Sequence, residues 1–128
     1  MLKPVKKRFD FKVTEANSKI TETFELDKNI TNVLGVLFTS NRDDLLYYRG
    51  SQRLEISKKE YFPEEYESKL LMSGINVSPN SRYYEFKEKV NPGNGKIKVE
   101  FKDNDDGVTE FAPYRVSLYV NCEQEDEL

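Results

Sequence analysis

The sequence predicts an all-β fold, an antiparallel β-sandwich of about eight strands. Three observations predict it. Apolar and polar residues alternate with period two along most of the chain, the pattern of half-buried strands. Clusters of Gly, Pro, Asn and Asp interrupt that alternation at short intervals. No stretch keeps a helical period for long. The 128 residues fit one domain spanning 1–128, and eight strands in that length suit a single jelly roll.

The elements follow in order. Phe9, Phe11 and Val13 alternate with charged neighbours. Ile20, Phe24 and Leu26 repeat the pattern, with Glu22 breaking the apolar face. Val33-Leu34-Gly35-Val36-Leu37-Phe38 is apolar on both faces and predicts a central strand, in which Gly35 predicts a bulge or a close backbone approach. Leu45-Leu46-Tyr47-Tyr48 predicts another strand, ending at Arg49-Gly50. Arg53-Leu54-Glu55-Ile56 alternates, and Lys58-Lys59 turns into Tyr61-Phe62, where Pro63 should end the strand. Residues 63–72 predict a loop with one short helix at most. Ile75-Asn76-Val77 leads into a turn at Pro79-Asn80. Tyr83-Tyr84-Glu85-Phe86 is a strand, and Asn91-Pro92-Gly93-Asn94-Gly95 is the strongest turn signal. Ile97, Val99 and Phe101 face inward from the next strand, which a second turn at residues 103–107 follows. Tyr114, Val116, Leu118 and Val120 form the last apolar face, with Arg115, Ser117 and Tyr119 pointing the other way.

Charged residues make up 34% of the chain and the formal net charge is −3. That balance argues against a general nucleic-acid binder, whose affinity comes from neutralising phosphates. The charge is polarised: Lys3, Lys6, Lys7 and Arg8 give residues 1–8 the look of a short basic arm. Glu123, Glu125, Asp126 and Glu127 give residues 122–128 the look of an acidic tail. Cys122, the single cysteine, has no partner for an internal disulfide and reads as core packing. No apolar run reaches the ~18 residues of a membrane span, and the start lacks the apolar segment of a signal peptide.

Histidine is absent, and this bears most on function. Its absence removes Ser/His/Asp and Cys/His nucleophilic catalysis and the usual zinc ligand sets. No phosphate-binding or dinucleotide-binding glycine motif is present. Counting back from Gly107 does not give an EF-hand loop, since Lys102 and Pro113 fall where ligands belong. The chain therefore reads as a non-enzyme, with no cofactor and no metal.

Tyrosine is the more suggestive residue. In a strand the doublets Tyr47-Tyr48 and Tyr83-Tyr84 would each send one ring inward and one outward. Outward tyrosines suit protein interfaces and sugar stacking. Arg49, set between Tyr48 and Gly50, could pair within its own subunit or across a contact. Interface candidates are Phe9, Phe11, Tyr47, Tyr48, Arg49, Tyr83, Tyr84 and Tyr119.

Three segments, Asn41-Arg42-Asp43-Asp44-Leu45-Leu46-Tyr47-Tyr48-Arg49-Gly50-Ser51, Lys69-Leu70-Leu71-Met72-Ser73-Gly74-Ile75-Asn76-Val77 and Phe111-Ala112-Pro113-Tyr114-Arg115-Val116-Ser117-Leu118-Tyr119, resemble small virion structural proteins of icosahedral bacteriophages. The resemblance spans roughly Gly35 to Val120. It implies a vertex (penton) or minor capsid protein, located in the virion and partnered by itself or by other capsid proteins. A carbohydrate-binding or adhesion β-sandwich, using its surface tyrosines on glycans, is the alternative.

Overall fold

A computed structural model describes residues 2–73, 77–78 and 81–125, apart from the Glu64 side chain. The turn expected around Ile75-Asn76 and Pro79-Asn80, and the end of the acidic tail at 126–128, lie outside the described residues. Among the described residues there are eight strands: β1 (Leu2–Val13), β2 (Lys19–Glu25), β3 (Ile30–Ser40), β4 (Gly50–Ile56), β5 (Lys59–Glu67), β6 (Tyr84–Val90), β7 (Lys96–Asp103) and β8 (Tyr114–Glu125). One short helix, α1 (Asp43–Arg49), and a 3-10 turn at Ser68–Leu71 complete the described elements. No described helix is long and apolar enough to cross a membrane.

The strands form two antiparallel sheets, in the orders β1-β8-β3-β6 and β2-β7-β4-β5. Four of the pairings, β1·β8, β2·β7, β3·β6 and β4·β5, have strand numbers that sum to nine. A chain folded at its middle into one long antiparallel ribbon makes those same pairs. The remaining pairings, β3·β8 and β4·β7, join turns of the ribbon side by side. The fold is an all-β sandwich.

Alternation builds its interior. Phe11, Val13, Val116, Leu118, Val120 and Cys122 point inward from β1 and β8, facing Leu54, Ile56, Ile97, Val99 and Phe101 from β4 and β7; all are buried. Phe11 meets Phe101 across the layers edge to face, with centroids 5.4 Å apart. Each such side chain contributes on the order of 1.5–3 kcal/mol when fully buried. Aromatic pairs close the two open sides. Phe9 on β1 stacks on Phe24 of β2 at 4.8 Å. Phe62 on β5 meets Tyr84 and Phe86 of β6 at 5.1 and 6.2 Å.

Gly35 answers to its predicted role. The β3 register shifts between Val33 and Gly35, and a Cβ on Gly35 would sit 2.5 Å from the Tyr84 carbonyl oxygen. Only glycine lets β6 come that close.

Three expectations need correction. Residues 43–49 are helical, not a strand. Pro63 does not end its strand: β5 runs on to Glu67, because it is the edge of its sheet and Pro63 can face solvent without losing a ladder bond. Residues 2–8, read as an arm, are the first seven of β1, and Leu2 to Val5 pair with Glu125 to Cys122 of β8. The basic and acidic ends of the chain are neighbours in one ladder.

Candidate functional site

The site begins with α1. Asp43 and Asp44 in its first turn and Arg49 in its last complement the helix dipole. The N–H groups of Leu45 and Leu46 donate to the Arg42 carbonyl at 3.1 and 3.2 Å. Successive helical residues are rotated by about 100°. Leu45, Leu46 and Arg49 therefore share one arc, and all three are buried. Tyr47 and Tyr48 fall on the opposite arc and are 45% and 61% exposed. A strand would have hidden one ring; the helix presents both.

The two rings touch edge to face at 4.9 Å, and the Lys69 ammonium lies 5.9 Å from the Tyr47 centroid. They stand between two depressions. One, of about 420 Å³, is lined by Asp43, Asp44, Lys69, Met72 and Ser73 with the rings. The other, of about 400 Å³, runs past Glu65, Glu67, Asn104 and Asp106. Rings flanked by carboxylates, an ammonium and an amide can stack on a flat apolar group and hydrogen-bond its substituents. Among the described residues no three acidic or cysteine side chains gather to hold a metal ion.

Beneath the platform lies a buried network that holds it in place. Arg49 donates to both carboxylate oxygens of Asp103, from Nε at 3.2 Å and Nη2 at 2.8 Å. Its Nη1 donates to the Thr109 carbonyl at 2.9 Å, and the guanidinium lies 5.3 Å from the Phe111 centroid. Asp103 also accepts from the Tyr114 hydroxyl at 2.6 Å and the Asn17 N–H at 3.0 Å. Burial works to raise the Asp103 pKa. The bonds from Arg49, Tyr114 and Asn17 overcome it and hold the carboxyl below its usual value. Burial, reinforced by the bond to Asp103, pushes the Tyr114 hydroxyl well above its usual value. This network joins the β1–β2 turn, the end of α1 and the β7–β8 loop. Both Asp103 oxygens are occupied by these partners.

The interface candidates therefore divide. Tyr47 and Tyr48 come together on the exposed helix face. Arg49 is a correction: its side chain is only 2% exposed and its partner is internal. Phe11 is a correction as well, buried in the core against Phe101. Phe9 is half-buried against Phe24. Tyr83, just ahead of β6, is buried, and Tyr84, the first residue of β6 and 41% exposed, packs against Phe62, so one ring of this doublet is hidden and the other half-open, with only Tyr84 in a strand. Tyr119 is half-buried on the outer face of the β1-β8-β3-β6 sheet, 5.7 Å from the Arg8 guanidinium. Sequence reading missed Asp103 and Tyr114 as one unit with Arg49; the ion pair spans 54 positions, beyond any local pattern.

No protein-family model, curated protein or solved structure matches the chain.

Proposed function

We propose that this chain is a single jelly roll acting as a structural component of an icosahedral virion, a vertex or minor capsid protein that works through assembly. One observation carries the proposal. The four ribbon pairs summing to nine, set in two sheets of four described strands each, are the pairing a jelly roll would give, and jelly rolls are common among capsid domains. The resemblance of the Asn41–Ser51 and Phe111–Tyr119 segments to phage virion proteins supports the capsid branch. The exposed Tyr47–Tyr48 pair supplies rigid contact area of the kind subunit interfaces use.

Native mass spectrometry of the full chain tests this. The expected result is one closed cyclic oligomer, dispersed when Tyr47 and Tyr48 are both changed to Ser. A monomer at every soluble concentration overturns the proposal.

A second reading is favoured by the platform itself: jelly rolls also serve as lectin domains, and two exposed rings beside Asp43 and Asp44 suit a glycan. A glycan array decides it. Binding abolished by Tyr48→Ser supports the reading, and an array without hits removes it.

A further inference from the structure

At the same end of the sandwich, the side-chain polar lining of one small depression consists largely of donors that find no acceptor among the described residues. It measures about 220 Å³ and lies where β1 ends and β8 begins, beside the link from β3 to α1. Its polar lining is Lys12, Thr14, Asn41 and Arg115. Tyr114 also borders it, but its hydroxyl is committed to Asp103.

Lys12 and Arg115 are directly opposed in the β1·β8 ladder. Like charges in that position repel, and neither makes an ion pair among the described residues. The Arg115 Nε is buried without a hydrogen-bond partner, a state that is costly and uncommon for a polar group. Asn41 accepts from the Arg115 backbone N–H through Oδ1 at 2.8 Å, which leaves its Nδ2 donors uncommitted. The Thr14 hydroxyl has no partner among the described residues either. No carboxylate lines the depression. Asp10, two residues from Lys12, is engaged by the Arg8 Nε at 2.9 Å and the Ser117 hydroxyl at 2.7 Å, and acts on Arg115 only through space.

We propose that Lys12 and Arg115, with Asn41 and Thr14, form a binding site for a phosphate-type dianion. Two adjacent cations match the charge of a phosphate, about −1.5 to −2 near neutral pH. The guanidinium fork suits its oxygens, while the ammonium acts as a compact point charge. A bound dianion would satisfy the orphaned Nε and turn the repulsion between Lys12 and Arg115 into shared attraction. The site is independent of the tyrosine platform and of the virion reading.

The test is a phosphate titration at constant ionic strength, followed by nuclear magnetic resonance of the Arg115 side-chain Nε–H and the Asn41 amides. Inorganic phosphate is the probe and acetate the monoanion control. The expected result is a saturable shift confined to these resonances, with acetate weaker. Lys12→Gln and Arg115→Lys should each weaken phosphate binding roughly tenfold or more, with thermal unfolding showing both variants folded. A linear response, or equal shifts at Lys28 and Lys58, overturns the site and leaves only general screening. So does a Lys12→Gln variant that binds phosphate as well as the unaltered chain.

Discussion

Arg49 and Arg115 sit at the same end of the sandwich under opposite conditions. Arg49 is enclosed, with its donors committed to Asp103 and the Thr109 carbonyl. Arg115 is half-open, its Nε is unpartnered and its cross-strand neighbour is another cation. The outer face of the other sheet is matched as Arg49 is. On the β2-β7-β4-β5 sheet, Arg53 lies among Glu55, Glu60 and Glu100, Lys98 reaches Glu100 at 3.2 Å and Lys102 reaches Glu65 at 2.8 Å. Opposite charges interleave there. A guanidinium matched inside its own chain can only hold structure. One that is left unmatched has capacity for something from outside.

The largest expected effect comes from breaking the matched site. Arg49→Met leaves the Asp103 carboxylate buried without its cation and should cost about 3–5 kcal/mol, read by urea unfolding. Because the network also seats α1, the Tyr47 and Tyr48 resonances should lose dispersion. A loss under about 1 kcal/mol would mean that burial of Asp103 is weaker than its surroundings imply.

Acid provides a second measure of the same pair. The folded pKa of Asp103 is depressed, so the carboxylate adds stability above its ordinary value, near ~3.9. That stability is lost as pH falls through the lower folded value. The lead of the unaltered chain over Asp103→Asn should therefore be full at pH 7 and shrink below about pH 4. A lead that persists unchanged into strong acid would place its origin in packing.

An intermediate effect tests how tightly the sheet that carries Arg115 is built. Gly35→Ala forces a Cβ to within 2.5 Å of the Tyr84 carbonyl and should cost about 1–3 kcal/mol. Hydrogen exchange should quicken along Tyr84–Val90. Gly107→Ala is the control. A Cβ there meets nothing within 4 Å, and only its φ of +76° opposes alanine, so about 1 kcal/mol is expected.

These sites differ in how far the sequence reveals them. Ile97, Val99 and Phe101 announce their strand and its inner face, because a two-residue period survives folding unchanged. Gly35 announces its close approach, because an apolar strand has no other need for glycine. Residues 43–49 mislead: two turns are too short for a helical period, and Leu-Leu-Tyr-Tyr reads as a buried strand. The usable signal was Asp43 and Asp44 before the pair of leucines, with Arg49 and Gly50 after the tyrosines. Neither arginine's state was legible. The partner of Arg49 is remote in sequence, and the opposition of Lys12 to Arg115 exists only once the β1·β8 register is set.

The smallest effect carries the comparison furthest. Lys12→Glu places a carboxylate opposite Arg115, converting the unmatched site into a copy of the matched ones. If the two cations only repel, stability should rise by about 0.2–1 kcal/mol in low salt, and the gain should shrink as ionic strength screens it. Inorganic phosphate should raise the thermal midpoint of the unaltered chain and leave that of the variant unmoved, since a ligand stabilises only the state that binds it. A variant less stable than the unaltered chain would show that the Lys12 stem packs on the sheet and supports it. The two arginines would then differ in exposure alone, not in what their charges are free to do.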